Sequence, residues 1–216
     1  MSKSIVLLSG GLDSLVSLGL AKDEFNVRLA LTFDYGQKSS LREIEASRKI
    51  CTHYGIEHKI IKQDWLREIT HTALVSSAGI PCGIQENSKT VWVPNRNGLF
   101  LNIAASFADS YDFDYIIIGA NKEEGQTFPD NTEEFVKRIN VAFELSTLKK
   151  PVVIAPLINS GKSDIVKEAL KNSMPLEYIH SCYYGGSKHC GVCESCVRLK
   201  NALQNNNHSM GEFFEN

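Results

Sequence analysis

Six consecutive residues, Ser9-Gly10-Gly11-Leu12-Asp13-Ser14, combine two glycines with two hydroxyls and a carboxylate. Glycines let the backbone turn its amide groups toward an anion, and hydroxyls add further donors. The run follows the apolar stretch Ile5-Val6-Leu7-Leu8 and opens a helical pattern through Leu15, Val16 and Leu20. An anion at that junction also meets the positive end of the helix dipole, so the turn reads as a cradle for phosphate or pyrophosphate. The alternative is a tight strand-to-helix turn with Asp13 or Ser9 as its cap. No lysine stands where a Walker loop needs one. Gly161-Lys162-Ser163 ends like such a loop, but Pro156 occupies the position of its first glycine. Lys162 follows a late strand and would point its ammonium toward the same edge as the first loop, as a phosphate contact or as a solvated first-turn lysine.

The second chemical cluster is Cys182, Cys190, Cys193 and Cys196, with the spacing C-x7-C-x2-C-x2-C. Four thiolates at turn spacing can close a tetrahedral zinc shell, and a filled shell leaves no position open for chemistry, which makes the zinc structural. An iron–sulfur cluster needs the same number of thiolates, and four free cysteines are the remaining alternative. His180 and His189 read as neighbours of this site. Cys51 falls on a helical face as a core residue, and Cys82, in Pro-Cys-Gly, is better placed for a reactive sulfur.

Positioning these groups takes a scaffold, and the apolar pattern supplies one. Short runs at 5–8, 28–33, 58–61, 115–118 and 152–155 read as strands, with helical stretches at 41–54, 97–108 and 163–170 between them. This alternation predicts an α/β fold, a Rossmann-like parallel sheet with helices on both faces, whose ligands lie beyond the carboxyl ends of the strands. Residues 75–93 and 121–130, which carry glycine and proline, read as long functional loops. The expected division is residues 1–179 as the nucleotide-binding domain and 180–216 as a small zinc-binding segment with a helix.

The chain has 216 residues with 25 acidic and 23 basic side chains, a net charge of -2. That balance suits a globular protein and gives no global attraction to nucleic acid, so small-molecule substrates are expected and stable nucleic-acid binding is not. Four apolar residues near the start are far short of a signal-peptide core, and no run approaches a membrane span, so a cytoplasmic location without membrane contact is expected.

The run Ser9 to Ser14 resembles the signature of the PP-loop ATP pyrophosphatases, whose fold is adenine nucleotide alpha hydrolase-like. The group implies ATP cleavage between the α and β phosphates, an adenylated intermediate, and Mg2+ on the phosphates. Asp34-Tyr35-Gly36-Gln37, Val93-Pro94-Asn95-Arg96-Asn97, Gly119-Ala120-Asn121, Phe128-Pro129-Asp130 and the terminal cysteines narrow the resemblance, nearly end to end, to the 7-cyano-7-deazaguanine synthase family. This resemblance implies conversion of a deazaguanine carboxylate, ammonia and ATP into a nitrile. It implies Ser9, Gly10, Gly11, Leu12, Asp13 and Ser14 as the ATP site, and Asp13, Ser14, Lys162 and Arg96 as catalytic. Asp34, Gln37, Asn95, Arg96, Asn97 and Asp130 become the substrate contacts, with Zn2+ on the cysteines and a homodimer as an admissible assembly. A guanidinium fork at Arg96 suits an anionic or planar polar group. Asn95 and Asn97 suit a base edge, Asn95 having the alternative of a helix N-cap. The family often carries Tyr-Pro-Asp-Cys-Arg where this chain has Phe128-Pro129-Asp130-Asn131-Thr132, so Asp130 is kept and the arginine is not.

Overall fold

The computed structural model describes residues 2–84, 90–209 and 211–215. The strands β1 (Ser4–Leu7), β2 (Val27–Asp34), β3 (Glu57–Lys62), β4 (Tyr115–Ile117) and β5 (Val152–Ile154) pair in parallel in the order β3-β2-β1-β4-β5. The helices are α1 (Leu12–Ala21), α2 (Ser40–Tyr54), α3 (Asp64–Ile69), α4 (Arg96–Tyr111), α5 (Lys122–Gly125), α6 (Glu133–Ser146), α7 (Lys162–Lys171) and α8 (Glu194–Asn205). Every strand and helix expected from the apolar pattern is present within a few residues of its expected bounds. Leu8, expected in the first strand, lies one residue beyond it, yet its N–H still donates to Leu31 O at 2.9 Å.

Strand β1 is buried along its whole length because helices cover both faces of the sheet. Its side chains alternate accordingly. Val6 and Leu8 join a core with Leu15 and Val16 of α1, Ile50 of α2 and Ile165 of α7. Ile5 and Leu7 face the other core, with Leu101, Ala104 and Ala108 of α4 and Phe143 of α6. Leu199, Ala202 and Leu203 of α8 enter the first of these cores, so the residues after the last cysteine are packed into the helical layer that supports α1. Among the described residues no helix is long and apolar enough to cross a membrane.

Two features were not expected. Helix α6 buries Phe143 and packs Phe135, Val136 and Ile139 of the same face against the second core, leaving Val141 and Leu145 exposed, and its N-terminus is marked by Thr132, whose hydroxyl accepts from Phe135 N–H at 3.1 Å. Its Asn140 side chain bonds both backbone groups of Val153 on edge strand β5, at 2.7 and 3.1 Å. The loop expected at 121–130 holds the short helix α5 and the start of a 3-10 turn at Pro129–Asn131, while in the loop expected at 75–93 residues 85–89 lie outside the described residues.

Candidate active site

The chain leaves β1 for β2 on one side and returns to β4 on the other, so the sheet has its switch point between β1 and β4, where a crevice opens beyond the strand ends. A cavity of about 240 Å³ occupies that crevice, lined by Ser9, Gly11, Leu12, Asp13 and Ser14 after β1 and by Gly119 and Ala120 after β4. Gly10 has φ +75°, and a Cβ there would lie 2.6 Å from Glu43 O, so only glycine fits. Gly11 caps α1 in an extended conformation without a side-chain bond, which removes the reading of Ser9 or Asp13 as a cap. The serines are turned inward instead: the two hydroxyls lie 3.2 Å apart, Ser9 N–H donates to Ser14 Oγ at 3.2 Å, and Gly11 N–H donates to Ser9 Oγ at 3.4 Å. Gly119 permits the close approach of the two strand ends, since a Cβ there would sit 3.0 Å from Ser14 N.

Charges converge beside this cradle. Lys162, at the start of α7, donates to Asp13 Oδ2 and, at 3.2 Å, to Glu124 Oε1, and only 13% of its side chain is exposed, which settles against a solvated lysine. Asn121 accepts with Oδ1 from Glu123 and Glu124 N–H, each at 3.1 Å, and donates with Nδ2 to Asp13 Oδ2 at 3.3 Å. Burial pushes Asp13 up to about 6 against the pull of Lys162, with Glu124 adding to the rise. Glu124 is held below the usual carboxylate range: burial opposes this, and Lys162 and Arg96 outweigh it. Burial likewise works against the Lys162 charge, and the two carboxylates overcome it to hold the ammonium above its ordinary value. At neutral pH the Lys162 ammonium and the Glu124 carboxylate are charged, and Asp13, at about 6, is mostly ionised. Asp13 Oδ1 is buried and has no hydrogen-bond partner among the described residues.

The opposite wall is flat and aromatic. Phe33 and Phe100 stack at 3.9 Å and 5°, and Trp92 and Phe128 stack at 5.4 Å and 11°. Arg96 lines the same cavity, donating to Tyr35 Oη at 3.3 Å, and the electrostatics of Tyr35 and Asp130 keep its guanidinium charged against the cost of burial. Asn97 and Asp130 also line the cavity but are bound to each other: Asn97 N–H reaches Asp130 Oδ2 and Asn97 Nδ2 reaches Asp130 O, both at 3.0 Å. Asp130 thereby holds its own loop against the first turn of α4, and burial raises its carboxyl above the ordinary value.

Three expected substrate contacts do not line the cavity. Asp34 Oδ1 accepts from Gly36 N–H and Ser40 Oγ, at 3.2 and 2.7 Å, and buried Gln37 bonds Tyr35, Phe33 and Glu43. Both shape the turn after β2 that presents Tyr35. Asn95 does occupy the N-cap of α4, at φ 52°, but makes no side-chain cap bond, and its amide folds over Gly98. Sequence reasoning missed Trp92, Glu123, Glu124, Ser181, Tyr183, Glu194 and Arg198, all of which line the cavity. Arg198 grips Glu123 and Glu194 at 2.8 Å each. The Glu194–Arg198 spacing, which straddles Cys196, is a helical i,i+4 pair and was the one available signal.

The sulfurs of Cys182, Cys190, Cys193 and Cys196 all lie within 4.8 Å of one another, with 3.9 Å between Cys190 and Cys196. Four sulfurs about 2.3 Å from one tetrahedral ion stand roughly 3.8 Å apart, so the group can hold a metal. Backbone N–H groups of Tyr184, Cys190 and Cys193 point at these sulfurs from 3.3 to 3.4 Å, the kind of outer bond that steadies thiolates. The knuckle is bonded to two segments distant in sequence, the glycine turn and residues 80–83. His180 N–H donates to Gly10 O at 2.8 Å, while Gly83 N–H donates to Val192 O at 2.8 Å and Tyr184 Oη to Ile80 O at 3.3 Å. Cys51 is buried in the core, and burial alone pushes its thiol up to about 12.

A sequence model of the family described as queuosine biosynthesis protein QueC matches residues 3–207. The chain is similar to the 7-cyano-7-deazaguanine synthase of Methanosarcina mazei, 50% identical with 94% of each chain covered. It is equally similar to that of Carboxydothermus hydrogenoformans, at 50% identity over 95% of this chain and 100% of the relative. Among solved structures, the U34-tRNA thiolase NcsA of Methanococcus maripaludis shares the fold at TM-score 0.54 and 18% identity, covering 97% of this chain and 73% of that one. The NH3-dependent NAD synthetase of Campylobacter jejuni does so at TM-score 0.51 and 19% identity, covering 95% and 75%.

The raised Asp13 carboxyl yields a signed prediction. Its folded value, about 6, lies above its ordinary 3.8, so its contribution to stability is greatest below pH 3.8 and is lost as pH rises through about 6. Carbon-detected NMR should show Asp13 titrating near pH 6, and Glu124→Gln should move that titration to lower pH by removing a neighbouring negative charge. An Asp13 titration near its ordinary value, or one unmoved by Glu124→Gln, contradicts this account of the cluster.

Proposed function

Because the chain belongs to the QueC family, we propose that it is an ATP-dependent carbon–nitrogen ligase that converts 7-carboxy-7-deazaguanine and ammonia into 7-cyano-7-deazaguanine. The observation that carries this reading is the shared lining of one cavity, in which the glycine turn after β1 and the Asp13–Lys162–Glu124 cluster meet Arg96 and the aromatic rings of Phe33, Phe100, Trp92 and Phe128. The cradle suits polyphosphate, and the rings with Arg96 suit a planar, anionic heterocycle.

A nitrile carbon carries no oxygen, so both carboxylate oxygens must leave. In the first step a carboxylate oxygen attacks the α-phosphorus of ATP, the bond to the β-phosphate oxygen breaks, and pyrophosphate departs into the cradle. Ammonia displaces AMP from the acyl carbon and gives the amide with loss of a proton. The amide oxygen then attacks the α-phosphorus of a second ATP, a second pyrophosphate departs, and loss of both N–H protons and AMP leaves the nitrile. Ser9, Ser14 and the amides of Gly11 and Leu12 are assigned to the departing pyrophosphate, and Lys162 offsets its growing charge. Arg96 orients the acid, with Trp92 and Phe128 against its ring. Asn97 and Asp130 keep that wall in place.

Mg2+ fits at Asp13, whose buried Oδ1 is left without a partner beside a polyphosphate site; bound there with Glu124 nearby, it would neutralise phosphate charge. Zinc fits the four cysteines, whose sulfurs stand at tetrahedral spacing with no other donor among them. Such thiolates persist in a reducing compartment, and the reaction is placed in the cytoplasm on that ground.

Incubation with the deazaguanine carboxylate, ammonium and ATP should yield the nitrile together with AMP and pyrophosphate, followed by mass spectrometry and phosphorus NMR. ADP and phosphate as primary products contradict the proposal. For the metal, elemental analysis should find zinc, and Cys193→Ser should lower metal content and Tm together, since structural zinc contributes on the order of 10 kcal/mol of folding free energy in small modules. Iron in place of zinc, or a metal-free Cys193→Ser protein of unchanged Tm, contradicts the assignment.

A further inference from the structure

The first turn of α1 is closed from outside by a side chain of the cysteine segment. Leu12 N–H, an amide at the phosphate-facing end of the helix, donates to Ser181 Oγ at 3.2 Å across 169 residues of sequence. Ser181 lies next to Cys182 and lines the cavity. A Cβ placed on Gly11 would stand 3.5 Å from Ser9 Oγ and 3.6 Å from Ser181 Oγ, so the two hydroxyls flank the same glycine. Ser181 Oγ accepts the Leu12 bond, and among the described residues its own proton has no acceptor. The Ser14 proton, by contrast, is spent on Gly11 O at 3.0 Å.

The placement of Ser181 is held from behind. Its backbone N–H donates to His189 Nε2 at 2.9 Å, and His189 is buried to 2% exposure. That ring stacks on Phe213 at 4.0 Å and 22°. Its backbone is clamped by the C-terminal residues, His189 N–H to Phe213 O at 3.0 Å and Glu215 N–H to His189 O at 2.8 Å. The bond from His180 N–H to Gly10 O, at 2.8 Å, fixes the other side of Ser181 to the loop.

We propose that Ser181 is a third hydroxyl of the phosphate cradle, binding the β and γ phosphates of ATP and the pyrophosphate formed from them, and that His189 is the residue that positions it. Ser181 Oγ accepts from the Leu12 amide, a donor that a phosphate oxygen could equally take. When polyphosphate enters, that amide turns to the phosphate and the Ser181 hydroxyl donates its unused proton to the same group. The cysteine knuckle thereby supplies a ligand-binding atom as well as rigidity. Nothing in the spacing of the cysteines pointed to this, because the serine meets its partner only through the fold.

The inference rests on the proposed use of ATP, so the experiment begins with wild-type protein. ATP with magnesium, and separately pyrophosphate, are titrated calorimetrically into metal-loaded wild type, Ser181→Ala and Ser181→Thr. Loss of one hydrogen bond to a charged group should weaken both ligands roughly tenfold or more in Ser181→Ala. Ser181→Thr should restore most of the affinity. Metal content, Tm and affinity for the deazaguanine acid should stay at wild-type values, and in turnover the KM for ATP should rise while that for the acid does not. His189→Gln should weaken ATP in the wild-type background and add nothing in the Ser181→Ala background. Wild type that binds ATP alongside an equally tight Ser181→Ala protein overturns the role of Ser181, as does a loss of affinity that only follows loss of metal. An additive effect of His189→Gln overturns its positioning role. Failure of wild type itself to bind ATP overturns the functional reading beneath both.

Discussion

The ion pair between Lys162 and Asp13 is the constraint on which the site depends. Asp13 comes from the turn after β1, Lys162 from the segment after β5, and Glu124, the second partner of Lys162, from the segment after β4. One ammonium therefore holds together the ends of three adjacent strands at the switch point. Removing one partner from a fully buried pair costs about 3–5 kcal/mol, and less where water reaches it, as it does here with 13% and 17% of the side chains exposed. What such a pair supplies is register. With Asp13 fixed, the Ser9 and Ser14 hydroxyls are presented at the mouth of the crevice and the β4 loop is held close enough for Gly119 to touch α1. The cluster is also more acidic than basic, since Glu123 and Glu194 share Arg198, and it therefore favours a polyphosphate accompanied by cations over a bare anion.

The cysteine segment is the second brace. It bonds to Gly10 and Leu12 at the turn after β1 and to Ile80 and Gly83 of the segment after α3, so two segments distant in sequence are tied to the same knuckle. Helix α8 extends that brace into the core beneath α1 and α7. The four cysteines can hold a metal, and the residues around them are the ones bonded to Gly10 and Leu12, so an ion there would steady the turn after β1 without touching a ligand.

Much of this was legible in the sequence because it is local. Uninterrupted apolar runs marked β1, β2, β4 and β5, and the glycine pair between a strand and a helix marked the cradle, where Gly10 requires positive φ. The cysteines announced their own cluster. Helix α6 was not among the expected helices, although Phe135, Val136, Ile139 and Phe143 repeat at helical spacing after the Thr132 cap. Residues brought together across the fold were silent: Ser181 beside Leu12, Arg198 beside Glu123, Trp92 against Phe128. Asp34, Gln37 and Asn95 mislead in the other direction. They sit in recognisable motifs beside the site, but the polar atoms of Asp34 and Gln37 are spent on the turn that presents Tyr35, and Asn95 takes the N-cap position of α4 without a side-chain bond. A motif shows that a segment matters without showing which of its side chains reach the ligand.

The central claim is that the cavity brings a carboxylate oxygen to the α-phosphorus of ATP, and the fate of that oxygen tests it most directly. The deazaguanine acid is labelled with oxygen-18 in both carboxylate positions, turned over with ammonium and ATP, and the phosphorus products are resolved by mass spectrometry. The account predicts one labelled oxygen in each AMP, none in pyrophosphate, and an unlabelled nitrile. Label recovered in inorganic phosphate or pyrophosphate, or released to water with AMP unlabelled, would contradict it.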